Sequence, residues 1–265
     1  MFKTAKILAR IARDRLGLEI RRAPRSTANR IRPAPPGRIV EFTGMPGVGK
    51  SHLMRRCIVA LGPSFMTQEE IRLADNAADY ESVVDPEIRA LYEELIWRLL
   101  SQARERHASQ VDLQQQIHSL RFMCNQLQSN MLVDAAYPID ALTDEGLVKN
   151  FSESLLELAE SDNPGALKVL CRRHVILVEA DPELTLSQIR ERERDHNRPH
   201  PKYVGWSREE ILRYYQENAP KYHARIEGLR PWTAGVLRIS RSASTRQNVD
   251  AVAAFMQRSV SKGSE

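Results

Sequence analysis

Residues 38–62 read RIVEFTGMPGVGKSHLMRRCIVALG, and the order of features within them decides the fold. A short apolar run from Arg38 to Thr43 leads into glycines at 44, 47 and 49, and a helical pattern follows from Ser51. Gly44-x-x-x-x-Gly49-Lys50-Ser51 satisfies the spacing of a phosphate-binding loop in full. Strand, glycine loop, helix is the order that gives this spacing its meaning. Glycines let the backbone curl so that successive N–H groups point inward at an anion. The helix that starts there adds the positive end of its dipole. Lys50 would supply a cation to the β- and γ-phosphates, and the Ser51 hydroxyl would ligate Mg²⁺. The nucleotide-contacting set expected from this segment is Gly44, Met45, Pro46, Gly47, Val48, Gly49, Lys50, Ser51 and His52, with ATP and Mg²⁺ as the ligands. A chance glycine-rich turn would lack the flanking strand and helix.

Further along, Ser64-Phe-Met-Thr67 reads as a second short strand. From Pro86 to Ala135 the pattern is helical. Ile88, Leu91, Leu95, Ile96 and Leu99 recur at three- and four-residue steps, as do Leu113, Ile117, Leu120 and Met123. Two long helices are expected there, as an insertion at about residues 83–135. Tyr137-Pro-Ile-Asp-Ala-Leu-Thr143 contains an imperfectly apolar strand, followed by a helix through about Ala159. His174-Val-Ile-Leu-Val178 is the clearest buried strand of the chain. Asp181 then suits an N-cap and Pro182 a first helical turn, in a helix that fades at Arg198-Pro199-His200-Pro201. A helix from Ser207 to about Leu229, a strand from Gly235 to Ile239 and a helix from Asn248 to Arg258 complete the pattern. Strands alternating with helices predict an α/β fold of three layers, a parallel sheet covered on both faces. The fold class expected for residues 38–260 is therefore that of a P-loop NTPase with a helical insertion.

A carboxylate is needed to help hold Mg²⁺ at the end of a neighbouring strand. Asp144-Glu145-Gly146 follows the strand at Ile139–Thr143 and is the preferred source, Asp144 for the metal and Glu145 as general base or acceptor-orienting group. A solvated acidic turn is the plainer reading. Asp134 is the competing carboxylate, although Met131-Leu-Val133 before it reads better as the end of the inserted helix. The third element is Arg190, Arg192 and Arg194, since arginines closing over a moving phosphoryl group stabilise its charge. Arg190 and Arg194 share one helical face and Arg192 points elsewhere. Interleaved Glu191, Glu193 and Asp195 equally suit an exposed, salt-bridged helix. His196 and His200 have Pro199 between them and make poor metal ligands. Trp97, Trp206 and Trp232 are scattered and read as packing residues.

The chain of 265 residues has a net charge of +5, but the charge is uneven. Residues 1–38 hold eleven Lys and Arg against Asp14 and Glu19, while the remainder has 28 basic against 32 acidic residues. The basic balance thus belongs to an N-terminal arm, and no specific nucleic-acid partner is expected. Residues 1–20 fit a basic amphipathic helix, with Ile7, Leu8, Ile11 and Leu18 opposite Lys3, Lys6, Arg10 and Arg13, able to lie on an anionic membrane. Packing on the body of the protein and an organellar transit peptide are the other readings of it. Residues 21–37 read as an Arg/Pro-rich linker. No apolar run approaches the ~18 residues of a membrane span. Cys57, Cys124 and Cys171 are far apart and odd in number, which fits reduced thiols of a cytoplasmic protein, each serving as buried filler.

With these residues assembled, the chain resembles the P-loop nucleoside and nucleotide kinase-like family, to which thymidylate kinase belongs. EFTGMPGVGKS, Asp144-Glu145-Gly146 and VILVEADPELTLSQIRERERDHNRPH carry the likeness, and VLRIS with the helix after it matches the usual ending. The resemblance covers residues 38–62 and 138–258. It implies a donor site for ATP and Mg²⁺, a lid with Arg192 in the best-matching position, and a last loop bordering the nucleotide base. Gln188 stands where the family's lid helix often begins with Arg. No acceptor-nucleoside motif follows the first helix, so the acceptor expected is an unidentified small molecule. The alternatives are an AAA-type ATPase and a nucleotide-binding regulator without transfer chemistry. A sulfotransferase would have lost the lysine context kept here, and a GTPase would need the N-K-x-D sequence that is absent.

Overall fold

The structure, a computed structural model, describes residues 37–74, 84–106, 113–135, 139–195, 203 and 205–262. The arm helix, the linker up to residue 36, His196 and His200 lie outside the described residues. Five strands run β1 (Ile39–Thr43), β2 (Phe65–Thr67), β3 (Asp140–Thr143), β4 (Arg173–Glu179) and β5 (Gly235–Ser240). They form one parallel sheet in the order β2-β3-β1-β4-β5. β1 is central and every residue of it is buried, as a strand covered on both faces requires.

Nine helices among the described residues flank the sheet. They are α1 (Lys50–Leu61), α2 (Gln68–Ala74), α3 (Pro86–Arg106), α4 (Leu113–Ala135), α5 (Leu147–Glu160), α6 (Pro164–Leu170), α7 (Pro182–Asp195), α8 (Arg208–Gly228) and α9 (Thr245–Lys262). α1 and α9 pack on each other, while α5 packs against β1, α6 and α8. α3 and α4 lie between α2 and β3 in the chain. α3 packs on α6, and α4 on α2 and α5. The result is a three-layer α/β architecture consistent with that of P-loop NTPases. Its helices start where local chemistry dictates. Asn163 caps α6 by accepting from the Ala166 N–H, and Ser207 with Glu210 forms a capping box at the start of α8.

The alternation of β1 sends Val40 and Phe42 to one face and Ile39, Glu41 and Thr43 to the other. A charge in the middle of a buried strand needs partners, and Glu41 has them. Its carboxylate accepts from the Val148 N–H at 3.2 Å and the Lys149 N–H at 2.7 Å, capping α5. Arg173 Nε lies 3.4 Å away. Arg173 in turn donates to both oxygens of Asp134 at 2.9 Å, and the Tyr92 hydroxyl donates to the same carboxylate at 2.5 Å. Both members of the Arg173–Asp134 pair have fully buried side chains. Asp134, in the last turn of α4, is spent in this pair.

The cysteines depart from expectation: Cys57 is buried, but Cys124 and Cys171 are exposed. Cys124 lies on the exposed side of α4, and Cys171 in the turn just after α6. Burial pushes the Cys57 thiol up to about 12, which leaves it an inert core group. Trp97 is also exposed, at 67% of its surface, rather than packed. Among the described residues, no helix is long and apolar enough to cross a membrane.

Candidate functional site

The loop between β1 and α1 rises from the C-terminal edge of the sheet. Met45 and Val48 turn inward and are buried at 6% and 2% exposure. Gly49 precedes α1 with φ of 87°, a left-handed conformation that a β-carbon would strain. Two tyrosines of α8 hold the loop from below. The Tyr215 hydroxyl donates to the Pro46 carbonyl, and the Tyr222 hydroxyl bonds Thr43 Oγ1. Tyr203 donates to the Tyr215 hydroxyl at 3.1 Å, extending the brace. None of these tyrosines carries a signal in the sequence, because a scattered tyrosine reads as core.

Lys50 is 6% exposed, and its Nζ donates to the carbonyls of Gly44 at 3.1 Å and Met45 at 3.0 Å. Burial, with a smaller push from Lys149, brings its pKa down to about 7. Asp144 and Glu145 act in the opposite sense and hold it up, so the acidic turn does face the lysine. Strand register explains why. Thr143 of β3 pairs with Glu41 of β1, so the turn after β3 emerges beside the glycine loop. Ser51 and His52 follow Lys50 in the first turn of α1, both exposed.

The acidic turn is pinned from several sides. Asn130 Nδ2 donates to the Glu145 carbonyl at 3.2 Å, and Asn150 Nδ2 donates to the Gly146 carbonyl at 3.1 Å. Gly146 is a second position that tolerates no side chain, because a β-carbon there would collide with the Glu41 carboxylate. The Glu145 carboxylate is ion-paired with Lys149 Nζ one helical turn away. Lys149 was not anticipated; a lone Lys after an acidic turn carries no signal in a sequence.

The Arg-rich helix α7 seats its apolar side on the loop. A β-carbon at Gly47 would meet Ile189 and Thr185, which are 3% and 0% exposed. Arg190 pairs with Glu193 at 2.9 Å and lies exposed, as the salt-bridged reading of this helix expects. Arg194 is exposed too. Arg192 lies on α7, and its side chain is outside the described residues.

One further cation reaches the loop. Arg241, immediately after β5, lays its guanidinium against Gly49: a β-carbon there would stand 3.0 Å from Nε and 3.1 Å from Cζ. It lies near His52, whose pKa is lowered first by partial burial and then by Arg241, Arg56 and Arg55. Only the loop's position, not the residue, was legible beforehand.

These residues fit a nucleotide with Mg²⁺. Glycines at positive φ at positions 44, 47 and 49, a buried lysine satisfied only by carbonyls, and a guanidinium with an orphaned buried Nε all suit a polyphosphate. Ser51 and Asp144 are the residues that would hold the metal, which screens phosphate charge when bound. Among the described residues, no group of three or more His, Cys, Asp or Glu gathers as a protein-only metal cage. Mg²⁺ held with phosphates needs only one or two protein ligands.

No protein-family model matches the chain, and no curated protein sequence matches it. Among solved structures it is similar to shikimate kinase from Bacteroides thetaiotaomicron, with 12% identity, 83% of this chain and 98% of that chain covered, and a TM-score of 0.43. It is also similar to an uncharacterized protein from Eubacterium ventriosum, with 10% identity, the same coverage of 83% and 98%, and a TM-score of 0.35.

Proposed function

We propose that this chain binds ATP with Mg²⁺ and transfers the terminal phosphoryl group to a small-molecule acceptor. The observation that carries the reading is the buried Lys50, set in a glycine loop between β1 and α1 with Asp144 and Glu145 acting on it from the next strand. In this reading the loop amides bind the phosphates, Lys50 neutralises them, and Ser51 and Asp144 take the metal. Glu145 orients the acceptor hydroxyl and receives its proton as the phosphoryl group leaves the nucleotide, once Lys149 releases the carboxylate. Arg192 is the lid residue that would close over the transferred group. Residues 1–20 would add contact with an anionic membrane surface.

A second reading, nucleotide binding or hydrolysis without an acceptor, is favoured by two observations. Glu145 is already paired with Lys149, and Arg190 is turned to Glu193 rather than toward the loop. Titration with Mg·ATP followed by hydrolysis assays, without acceptor and with pools of hydroxyl-bearing metabolites, separates the two. Slow acceptor-free hydrolysis that a pool member diverts into a phosphorylated product is the expected result. Turnover that no acceptor changes would favour the second reading, and no Mg·ATP binding by the folded protein would remove both. Glu145→Gln should lower turnover by about 10²- to 10⁴-fold and leave Mg·ATP affinity nearly unchanged. Loss of Mg²⁺-dependent affinity instead would move Glu145 to the metal.

A further inference from the structure

Arg241 is anomalous among the arginines. The other arginines that are buried or half-buried among the described residues each have an acceptor. Arg38 pairs with Asp140, Arg98 with Glu94 and Glu157, and Arg173 with Asp134. Arg172 donates to the carbonyls of Gly37 and Asp134, and Arg225 faces Glu153. The Arg241 side chain has no hydrogen bond or ion pair among the described residues, and its Nε is buried without a partner. The backbone that carries it is anchored. Its backbone N–H donates to the Glu179 carbonyl at 2.8 Å, and Asn248 Nδ2 holds the Ser240 carbonyl before it at 2.9 Å.

Its position makes the missing partner costly. The guanidinium lies against Gly49, the residue that caps the N-terminus of α1, where the helix dipole is positive. Lys50 follows in the chain, and Arg241, Arg56 and Arg55 all lie within electrostatic reach of His52. A cation held against a positive helix end, partly dehydrated and without a carboxylate, is unfavourable unless an anion arrives to use it.

We propose that Arg241 is a phosphate-binding residue of this site, donating to the phosphate chain of the bound nucleotide from the side of Gly49. This rests on the nucleotide reading above and deepens it. The turn after β5 then supplies charge to the phosphates rather than a surface for the base alone. Two predictions separate the proposal from a structural role. A residue that props the loop loses stability when truncated, whereas Arg241→Ala relieves repulsion and leaves the ligand-free melting temperature unchanged or raised. And a phosphate contact is indifferent to the base.

The test is calorimetric titration of Mg·ATP and of Mg·tripolyphosphate, which has no base or ribose, into the full chain, wild type and Arg241→Ala, with melting curves of both. The expected result is a loss of about 10- to 100-fold in affinity for both ligands, with Arg241→Lys intermediate. Weakened ATP binding with tripolyphosphate unaffected would overturn the proposal and place Arg241 on the nucleoside, base or ribose. Unchanged affinity for both ligands in Arg241→Ala, with tight binding by the wild type, would overturn it while sparing the nucleotide reading. Absence of binding by the folded wild type would overturn both. A marked fall in the ligand-free melting temperature of Arg241→Ala would make it a structural residue and overturn the proposal.

Discussion

Arg173→Met should destabilise the protein by about 3–5 kcal/mol, enough to unfold much of a domain of ordinary stability. The size follows from what the substitution leaves behind. Arg173, Asp134 and Glu41 are all at or near full burial, and the guanidinium is the only cation in contact with the two carboxylates among the described residues. Removing it strands two negative charges away from water, with Tyr92 and two backbone amides as their remaining donors. The prediction has a pH signature. Burial already raises the Glu41 pKa, opposed by Arg173, so losing Arg173 raises it further. A carboxyl with a raised folded-state pKa takes up its proton on folding. Its contribution is fully present below the unfolded value and is lost as pH rises through the folded one. The deficit of the variant relative to wild type should therefore shrink at about pH 5 and widen at about pH 8. Urea unfolding at both values measures it. Adding Glu41→Gln and Asp134→Asn to Arg173→Met should recover most of the loss, because no buried charge remains. A single variant within about 1 kcal/mol of wild type at both pH values would show that water or rearrangement satisfies the pair, and the network would lose its structural role.

This network also explains which parts of the molecule a reader of the sequence could reach. The glycine loop is legible because its geometry demands fixed spacing, and β4 because a run such as Val175–Val178 suits a strand buried on both faces. Helices α3 and α4 show in their periodicity. Glu41 is not legible in the same way. Inside IVEFT it interrupts an otherwise apolar strand, which reads as an exposed position, and its partners Arg173 and Lys149 are distant in sequence. That α4 ends near Asp134 is legible, but the pairing of Asp134 with Arg173 is not. Arg190 and Arg194 show the converse limit. Their composition suits a lid and a salt-bridged surface equally, and only the packing of Ile189 and Thr185 on Gly47 shows which side of α7 meets the loop. Arg241 carries no motif at all, since its meaning lies in the absence of a partner.

Lys50→Met should weaken Mg·ATP binding by about a hundredfold and at the same time make the ligand-free protein more stable near neutral pH. The two effects share one cause. Burial holds the Lys50 pKa down at about 7 while only carbonyls accept from its ammonium. Between about 7 and the unfolded value of 10.5 the unfolded chain binds the additional proton, so this residue makes stability rise with pH across that window. Its unfavourable contribution is fully present below about 7. Methionine removes that contribution, and the melting temperature of the ligand-free variant should exceed that of wild type at about pH 6, the gap closing toward pH 10. Phosphate reverses the balance, because an anion beside Nζ favours the charged form. At about pH 8 a largely neutral Lys50 must then take up a proton as Mg·ATP binds, with saturating Mg²⁺ keeping the triphosphate ionised. Calorimetry in buffers of different ionisation enthalpy reads that proton directly, as a slope approaching one at pH 8 and falling toward zero at pH 6. The slope should vanish in Lys50→Met. Tight binding with no proton uptake at pH 8 would mean the ammonium is charged before the nucleotide arrives. Undiminished affinity in the variant would mean the phosphates bind elsewhere, and the site assigned to residues 44–51 would have to be given up.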